Sequence, residues 1–319
     1  MTSHRGFWKF GTPAYSEKLQ SQSLSKQSST WNAWMLAIRP RTLPAAAAGV
    51  ITGSALAWRD GFFRLDAALA CLLTAVLLQI GSNLANDVFD FERGADTPER
   101  SGPVRVTQAG LLSPRQVKYG MVIVFGLAAL LGSYLAWLGG WAIIVIGIAA
   151  ILSAIAYTGG PFPLGYYGLG DLFVFLFFGL AAVAGTYYVQ AGFVSAAAWW
   201  MAIPPGLIIT AVLVVNNLRD LENDRRAGKR TLAVILGERA TKVQYLVGMI
   251  AAYLVMPIAA STGLIAWSSL LSWLSLPLAI RAAHTVLTQR GRPLNWALAW
   301  TGQTALLFSI LFWIGLAFS

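Results

Sequence analysis

Charge is scarce in this 319-residue chain: 11% of residues are Asp, Glu, Lys or Arg, while 57% are apolar. A soluble domain carries about 25% charged residues. The deficit excludes an ordinary water-facing surface and points to a polytopic membrane protein. Cysteine is nearly absent. The single one, Cys71, lies in an apolar stretch, which excludes a disulfide framework and a thiolate metal site. With only His4 and His284, a histidine metal cluster is excluded as well. A metal here must be held by oxygen ligands, as Mg²⁺ is. The net charge of +10 reads as basic loops beside a membrane rather than nucleic-acid binding. Residues 1–33 are polar and have no apolar core of signal-peptide length, so they read as a disordered cytoplasmic tail. A short amphipathic surface segment around Trp31 and Trp34 follows, and residues 34–319 form the membrane domain.

A helix crossing the hydrocarbon core needs about 20 apolar residues. Nine stretches qualify: 42–58, 66–86, 118–138, 140–157, 171–190, 196–217, 243–263, 265–283 and 294–317. The expectation is an all-α bundle of nine transmembrane helices. With the N-terminus in the cytoplasm, 21 of the 23 Lys and Arg residues fall inside, and only Arg59 and Arg64 fall outside. The carboxylates cluster too. Of 13, five lie in 87–99 and four in 220–238, in the two long cytoplasmic loops. A secondary transporter more often buries isolated charges mid-membrane. Here charge gathers at one mouth of the bundle.

Two related motifs occupy those places. The first runs from Asn83 through Asn86, Asp87, Asp90, Glu92 and Arg93 to Asp96 and Thr97. The second runs from Asn216 and Asn217 through Arg219, Asp220, Asp224, Arg225 and Arg226 to Lys229, Arg230 and Thr231. Asp87 and Asp90 are three apart, and Asp220 and Asp224 are four apart. On a helix either spacing puts both carboxylates on one face, about 5–6 Å apart. Such pairs repel unless a cation lies between them, so two facing pairs suit two Mg²⁺ ions that also take phosphate oxygens. The interleaved Arg93, Arg100, Lys229 and their neighbours suit remaining phosphate charge. Asp and Asn at a helix end also serve as caps or solvated loop residues. Two matching pairs on one side favour a site.

At this point the chain resembles the UbiA superfamily of intramembrane prenyltransferases over about 36–317. Asn86-Asp87-x-x-Asp90 and Asp220-x-x-x-Asp224 match that family's two acidic motifs in type, order and location. Asp96, where ubiquinone-type members place the third acid at the position of Gly94, is similar to the menaquinone branch. So are Arg39-Pro40-Arg41-Thr42-Leu43-Pro44, the Gly102-Pro103-Val104-Arg105 stretch and Tyr157-Thr158-Gly159-Gly160-Pro161. The resemblance implies a nine-helix bundle around a central cavity, capped on the cytoplasmic side and open laterally to lipid in an inner membrane. It implies Mg²⁺-dependent transfer of a polyprenyl group from its diphosphate to a small aromatic acid, 1,4-dihydroxy-2-naphthoate in that branch, with loss of CO₂ and diphosphate. It assigns Asp87, Asp90, Asp96, Asp220 and Asp224 to metal, and Asn83, Asn86, Arg93, Arg100, Asn217 and Lys229 to diphosphate. Tyr157 would stabilise the allylic cation, and Arg105 would recognise the acceptor carboxylate. 4-Hydroxybenzoate and homogentisate are the alternative acceptors. A CDP-alcohol phosphotransferase needs one compact acidic run, whereas these motifs lie about 130 residues apart.

Overall fold

Each apolar stretch folds as a helix, and the helix ends follow from local chemistry. The computed structural model describes residues 29–96 and 101–318, and all regular structure among them is helical. Helix α1 (Thr30–Ile38) opens where the Ser29 hydroxyl accepts the Asn32 N–H at 3.3 Å. It starts inside the stretch read as tail. Ala33 and Ala37 are buried while Trp31 is exposed, the two-faced character expected near Trp31 and Trp34. The rest of the tail, residues 1–28, lies outside the described residues.

The bundle follows as α2 (Leu43–Arg59), α3 (Leu65–Glu92), α4 (Pro114–Gly139) and α5 (Trp141–Ala156). Gly140 turns the chain between α4 and α5 at φ 71°, a left-handed conformation open to glycine. Helix α6 (Gly170–Val174) runs through a π-helical stretch (Phe175–Ala181) into α7 (Ala182–Ala191). Helix α8 (Ala196–Met201) leads into α9 (Ile203–Arg226), and α10 (Leu232–Ser261) bends at Gly237. A 3₁₀ stretch (Trp267–Ser275) opens α11 (Leu276–Thr288), and α12 (Leu294–Leu316) closes the bundle.

Among the described residues, seven of these runs are long and apolar enough to cross a membrane by length and composition. Many of their large apolar side chains, such as Val122, Leu130, Ile250 and Leu254, are exposed and suit contact with lipid. The two runs that fall short are α2, with 17 residues, and α5, with 16. At 1.5 Å per residue they span about 24–26 Å against a hydrocarbon core of about 30 Å. Eleven residues of α2 are buried against neighbours, so it carries Gly, Thr and Ser in place of lipid-facing side chains.

Small residues set the crossings. A Cβ on Gly53 would lie 2.4 Å from the Val183 carbonyl oxygen, and one on Gly179 would lie 2.8 Å from Gly206 Cα. These contacts draw α2 onto α7 and the π stretch onto α9. The main core gathers Tyr187, Ile208, Tyr245, Met256, Phe308 and Phe312, and a second cluster joins Leu84, Val88, Val117 and Phe125.

Two helices outrun their expected ends, and this positions the site. Helix α3 continues to Glu92 and α9 to Arg226. The paired aspartates therefore ride on the last turns of rigid helices rather than in cap loops.

Candidate active site

A cavity of about 370 Å³ lies at the centre of the bundle, walled by α2 to α7, the π stretch and α9. Helix α3 shows its shape. Cys71, Ala75, Leu78, Ser82, Asn86 and Asp90 all line it, at the three- and four-residue intervals of one helix face. From Cys71 to Asp90 that face runs about 28 Å at 1.5 Å per residue. One end is apolar, closed by Val50, Leu135, Ile143 and Val189. The other is lined by Asn83, Asn86, Asp90, Asn217, Asp220, Asp224 and Lys229.

Asp90 is the hub of the charged end. It is 2% exposed. Its Oδ1 accepts from Lys229 Nζ at 2.8 Å and from the Tyr166 hydroxyl at 3.0 Å. Its Oδ2 accepts from Arg105 Nη2 at 3.1 Å. Arg105 also reaches Asp96, whose Oδ2 lies 3.2 Å from Nε. Burial, and then the charge of Asp90, push the Tyr166 phenol well above its ordinary range, so it stays protonated and donates.

Asp87 behaves differently. Its oxygens accept the Val106 N–H at 3.1 Å and the Thr107 N–H at 2.9 Å, which pins the loop that carries Arg105. Arg39, in a left-handed turn at φ 55°, sits 4.0 Å from it. Asp87 is not among the cavity-lining residues. Its oxygens keep a second lone pair each, so a ligand role stays compatible with this anchoring.

In the second motif, Asp220 is gripped by its own neighbour. Arg219 donates through Nε at 3.0 Å and Nη2 at 2.7 Å. Arg219 is held in turn by Asn216 Oδ1 at 2.7 Å and Asn295 Oδ1 at 2.9 Å. Asp224 lines the cavity and lends its carbonyl to the Lys229 N–H at 2.8 Å, shaping the turn that delivers Lys229.

Three expectations meet the observed contacts here. Among the described residues, no three His, Cys, Asp or Glu side chains stand close enough to hold a metal alone. The donor set still fits Mg²⁺, which takes one or two carboxylates and completes its shell with water and substrate phosphate. The Arg93 guanidinium donates to the carbonyls of Thr158, at 2.9 Å, and Gly160. Arg105 is engaged by Asp90 and Asp96, where the loop anchored on Asp87 brings it. Asn83 joins Gln79 and Thr42 in a network tying α3 to the start of α2. Asn86 accepts from the Thr158 hydroxyl at 3.0 Å, Tyr157 lines the cavity, and Arg100 lies outside the described residues. Sequence reasoning missed Tyr166 and the role of Arg219. Only Arg219 left a signal, as a cation adjoining a motif aspartate.

Residues 46–313 match the UbiA prenyltransferase family. The chain is 42% identical to a 1,4-dihydroxy-2-naphthoate octaprenyltransferase of Haemophilus influenzae, over 89% of this chain and 95% of that protein. It is 39% identical to the Escherichia coli protein of the same description, over 92% and 98%. Among solved structures, a UbiA homologue from Archaeoglobus fulgidus bound to DMAPP and Mg²⁺ superposes with a TM-score of 0.62 at 13% identity, over 89% of this chain and 99% of that one.

Proposed function

The chain belongs to the UbiA prenyltransferase family, and from that premise we propose that it moves a polyprenyl group from its diphosphate onto 1,4-dihydroxy-2-naphthoate, releasing diphosphate and CO₂. Relatives 39–42% identical over most of the chain are described as 1,4-dihydroxy-2-naphthoate octaprenyltransferases. The observation that carries the reading is the division of the cavity into a carboxylate- and lysine-lined end and a long apolar gallery. An amphiphile with an anionic head and an isoprenoid tail fits that shape.

Asp90, Asp220 and Asp224 are the residues that would hold Mg²⁺, two ions on this reading, with Asn86 and Asn217 beside them and Asp87 behind. The archaeal homologue's DMAPP and Mg²⁺ support the assignment. When bound, the metal neutralises the leaving diphosphate as a Lewis acid. Lys229 brings an ammonium to the cavity end where negative charge develops. Arg105 holds Asp90 and Asp96 in place rather than touching the acceptor. The apolar gallery excludes water from the allylic cation, and the Tyr157 ring offers it a π face. The electron-rich naphthoate ring attacks that cation and forms the new C–C bond. The acceptor's carboxyl group leaves as CO₂, its bonding electrons restore the aromatic ring, and the ring hydrogen count balances.

The charged end faces the cytoplasm of an inner membrane on this reading, and the chain crosses nine times. A tag at the N-terminus is then protected inside, and one after Ser319 is reached from the far side; finding both on one side refutes nine crossings. The function is tested with membranes containing the protein, Mg²⁺, a long prenyl diphosphate and a panel of aromatic acids, with products identified by mass. Prenylation of 4-hydroxybenzoate or homogentisate in place of the naphthoate overturns the acceptor, and turnover undiminished by EDTA overturns the metal.

A further inference from the structure

The cap over the charged end has a third component that carries no charge. Residues 157–169 contain no Asp, Glu, Lys or Arg. Yet their contacts fall on both acidic motifs. From the first motif, Arg93 holds the Thr158 and Gly160 carbonyls, and the Thr158 hydroxyl donates to Asn86. From the second, the Arg230 N–H donates to the Tyr166 carbonyl at 3.0 Å.

The side chain of Tyr166 stands between the two motifs. Its hydroxyl donates to Asp90 Oδ1 at 3.0 Å, the same oxygen that takes Lys229 Nζ at 2.8 Å. Its ring also carries that ammonium, 4.7 Å from the centroid, and the Arg93 guanidinium at 5.5 Å. Tyr166 and Lys229 both line the cavity. A half-buried tyrosine hydroxyl such as this one takes an acceptor. This one shares its acceptor with the cation lying on its own ring, so the three groups form one unit.

We propose that Tyr166 is a positioning residue that hands Lys229 from Asp90 to the substrate diphosphate. The assignment rests on the reading that a prenyl diphosphate fills the charged end. A π face attracts an ammonium without supplying a full opposing charge. Lys229 therefore keeps a resting place when it leaves Asp90 for a stronger anion, and the hydroxyl keeps Asp90 aimed at the cavity meanwhile. Ring and hydroxyl thus serve two different steps, and separate substitutions resolve them.

The experiment compares Tyr166→Phe and Tyr166→Leu with wild type, as purified full-length protein in detergent. Equilibrium binding of radiolabelled farnesyl diphosphate is measured with and without Mg²⁺, beside kcat and both KM values. The phenylalanine variant keeps the ring, so its farnesyl diphosphate Kd stays near wild type while kcat falls about tenfold with the lost hydrogen bond to a charged group. The leucine variant also loses the π face, and its Kd rises about tenfold. The naphthoate KM changes in neither. Equal Kd values in the two variants, or a shift that falls on the naphthoate KM, overturn the assignment to Tyr166. A wild type that binds no farnesyl diphosphate overturns the underlying reading instead.

Discussion

The two acidic motifs look like repeats of one another, but the protein treats them differently. Asp90 draws its partners from three segments: Arg105 from the following loop, Tyr166 from the uncharged cap and Lys229 from beyond the second motif. Asp220 is gripped by the adjacent Arg219, and that residue is braced by Asn216 on the same helix and Asn295 on α12. The first motif is a meeting point for distant segments. The arginine of the second is set from its own helix and α12. The contrast to test is between a half that other segments close upon and a half fixed around Arg219.

The sharpest break of that comparison is Asp90→Asn, which keeps shape and removes charge. All three donors lose the Asp90 anion at once, with only Arg105 keeping a second one in Asp96, and turnover falls at least about a hundredfold, the scale of a lost electrostatic group in a water-poor site. Steady-state assay of the variant in membranes checks this. Turnover within tenfold of wild type would mean that Asp90 is not the hub.

Arg219→Met breaks the other half. Arg219 is 1% exposed and Asp220 is 3% exposed, so removing the arginine takes a charge partner from a buried carboxylate. Stranding one partner of a buried pair costs about 3–5 kcal/mol. The variant should therefore lose thermal stability as well as turnover, whereas Asp90→Asn mainly loses turnover. Thermal melting in detergent separates the two; an unchanged melting temperature would show that the second motif does not depend on its neighbour.

Arg105→Ala sharpens the comparison. It removes the link between Asp90 and Asp96. The loss of a charged hydrogen bond is worth about 1.5–3 kcal/mol, or roughly ten- to a hundredfold. The effect should fall on kcat and the prenyl diphosphate KM. A rise confined to the naphthoate KM would return Arg105 to the acceptor carboxylate.

The helices and both acidic motifs were legible because each is local. Apolar runs declare themselves by length, and Asp87, Asp90, Asp220 and Asp224 declare themselves by three- and four-residue spacing. Lys229 was legible as a cation near the second motif, though not its contact with Asp90, 139 residues away. Tyr166 left no trace: it lies 76 residues from Asp90 in a neutral, glycine-rich stretch that reads as a connector. Arg219 was hidden by a stronger signal, since a basic residue at a helix end is already explained by membrane sidedness. The burial of α2 was hidden too, because it is a property of the assembled bundle.

The smallest effect is expected at Asn295, and it tests whether the second motif is self-contained. Asn295 Oδ1 accepts from Arg219 at 2.9 Å, and its Nδ2 donates to the Ser101 carbonyl at 3.1 Å. It is thus a thread from the second motif to the loop that follows the first. Asn295→Ala leaves Arg219 with Asp220 and Asn216, so the arginine keeps its charge partner. One neutral-acceptor bond is worth about 1 kcal/mol, and turnover should drop no more than about fivefold. The deciding measurement is the double variant with Arg105→Ala. If the second motif stands alone, the two losses multiply, as they do for independent sites. If the thread through Ser101 couples the halves, the double variant loses less than the product, because Arg105→Ala has already loosened the loop that Asn295 holds. Multiplying losses keep the contrast between a fixed half and a closing half; a smaller combined loss makes the loop a shared part of both.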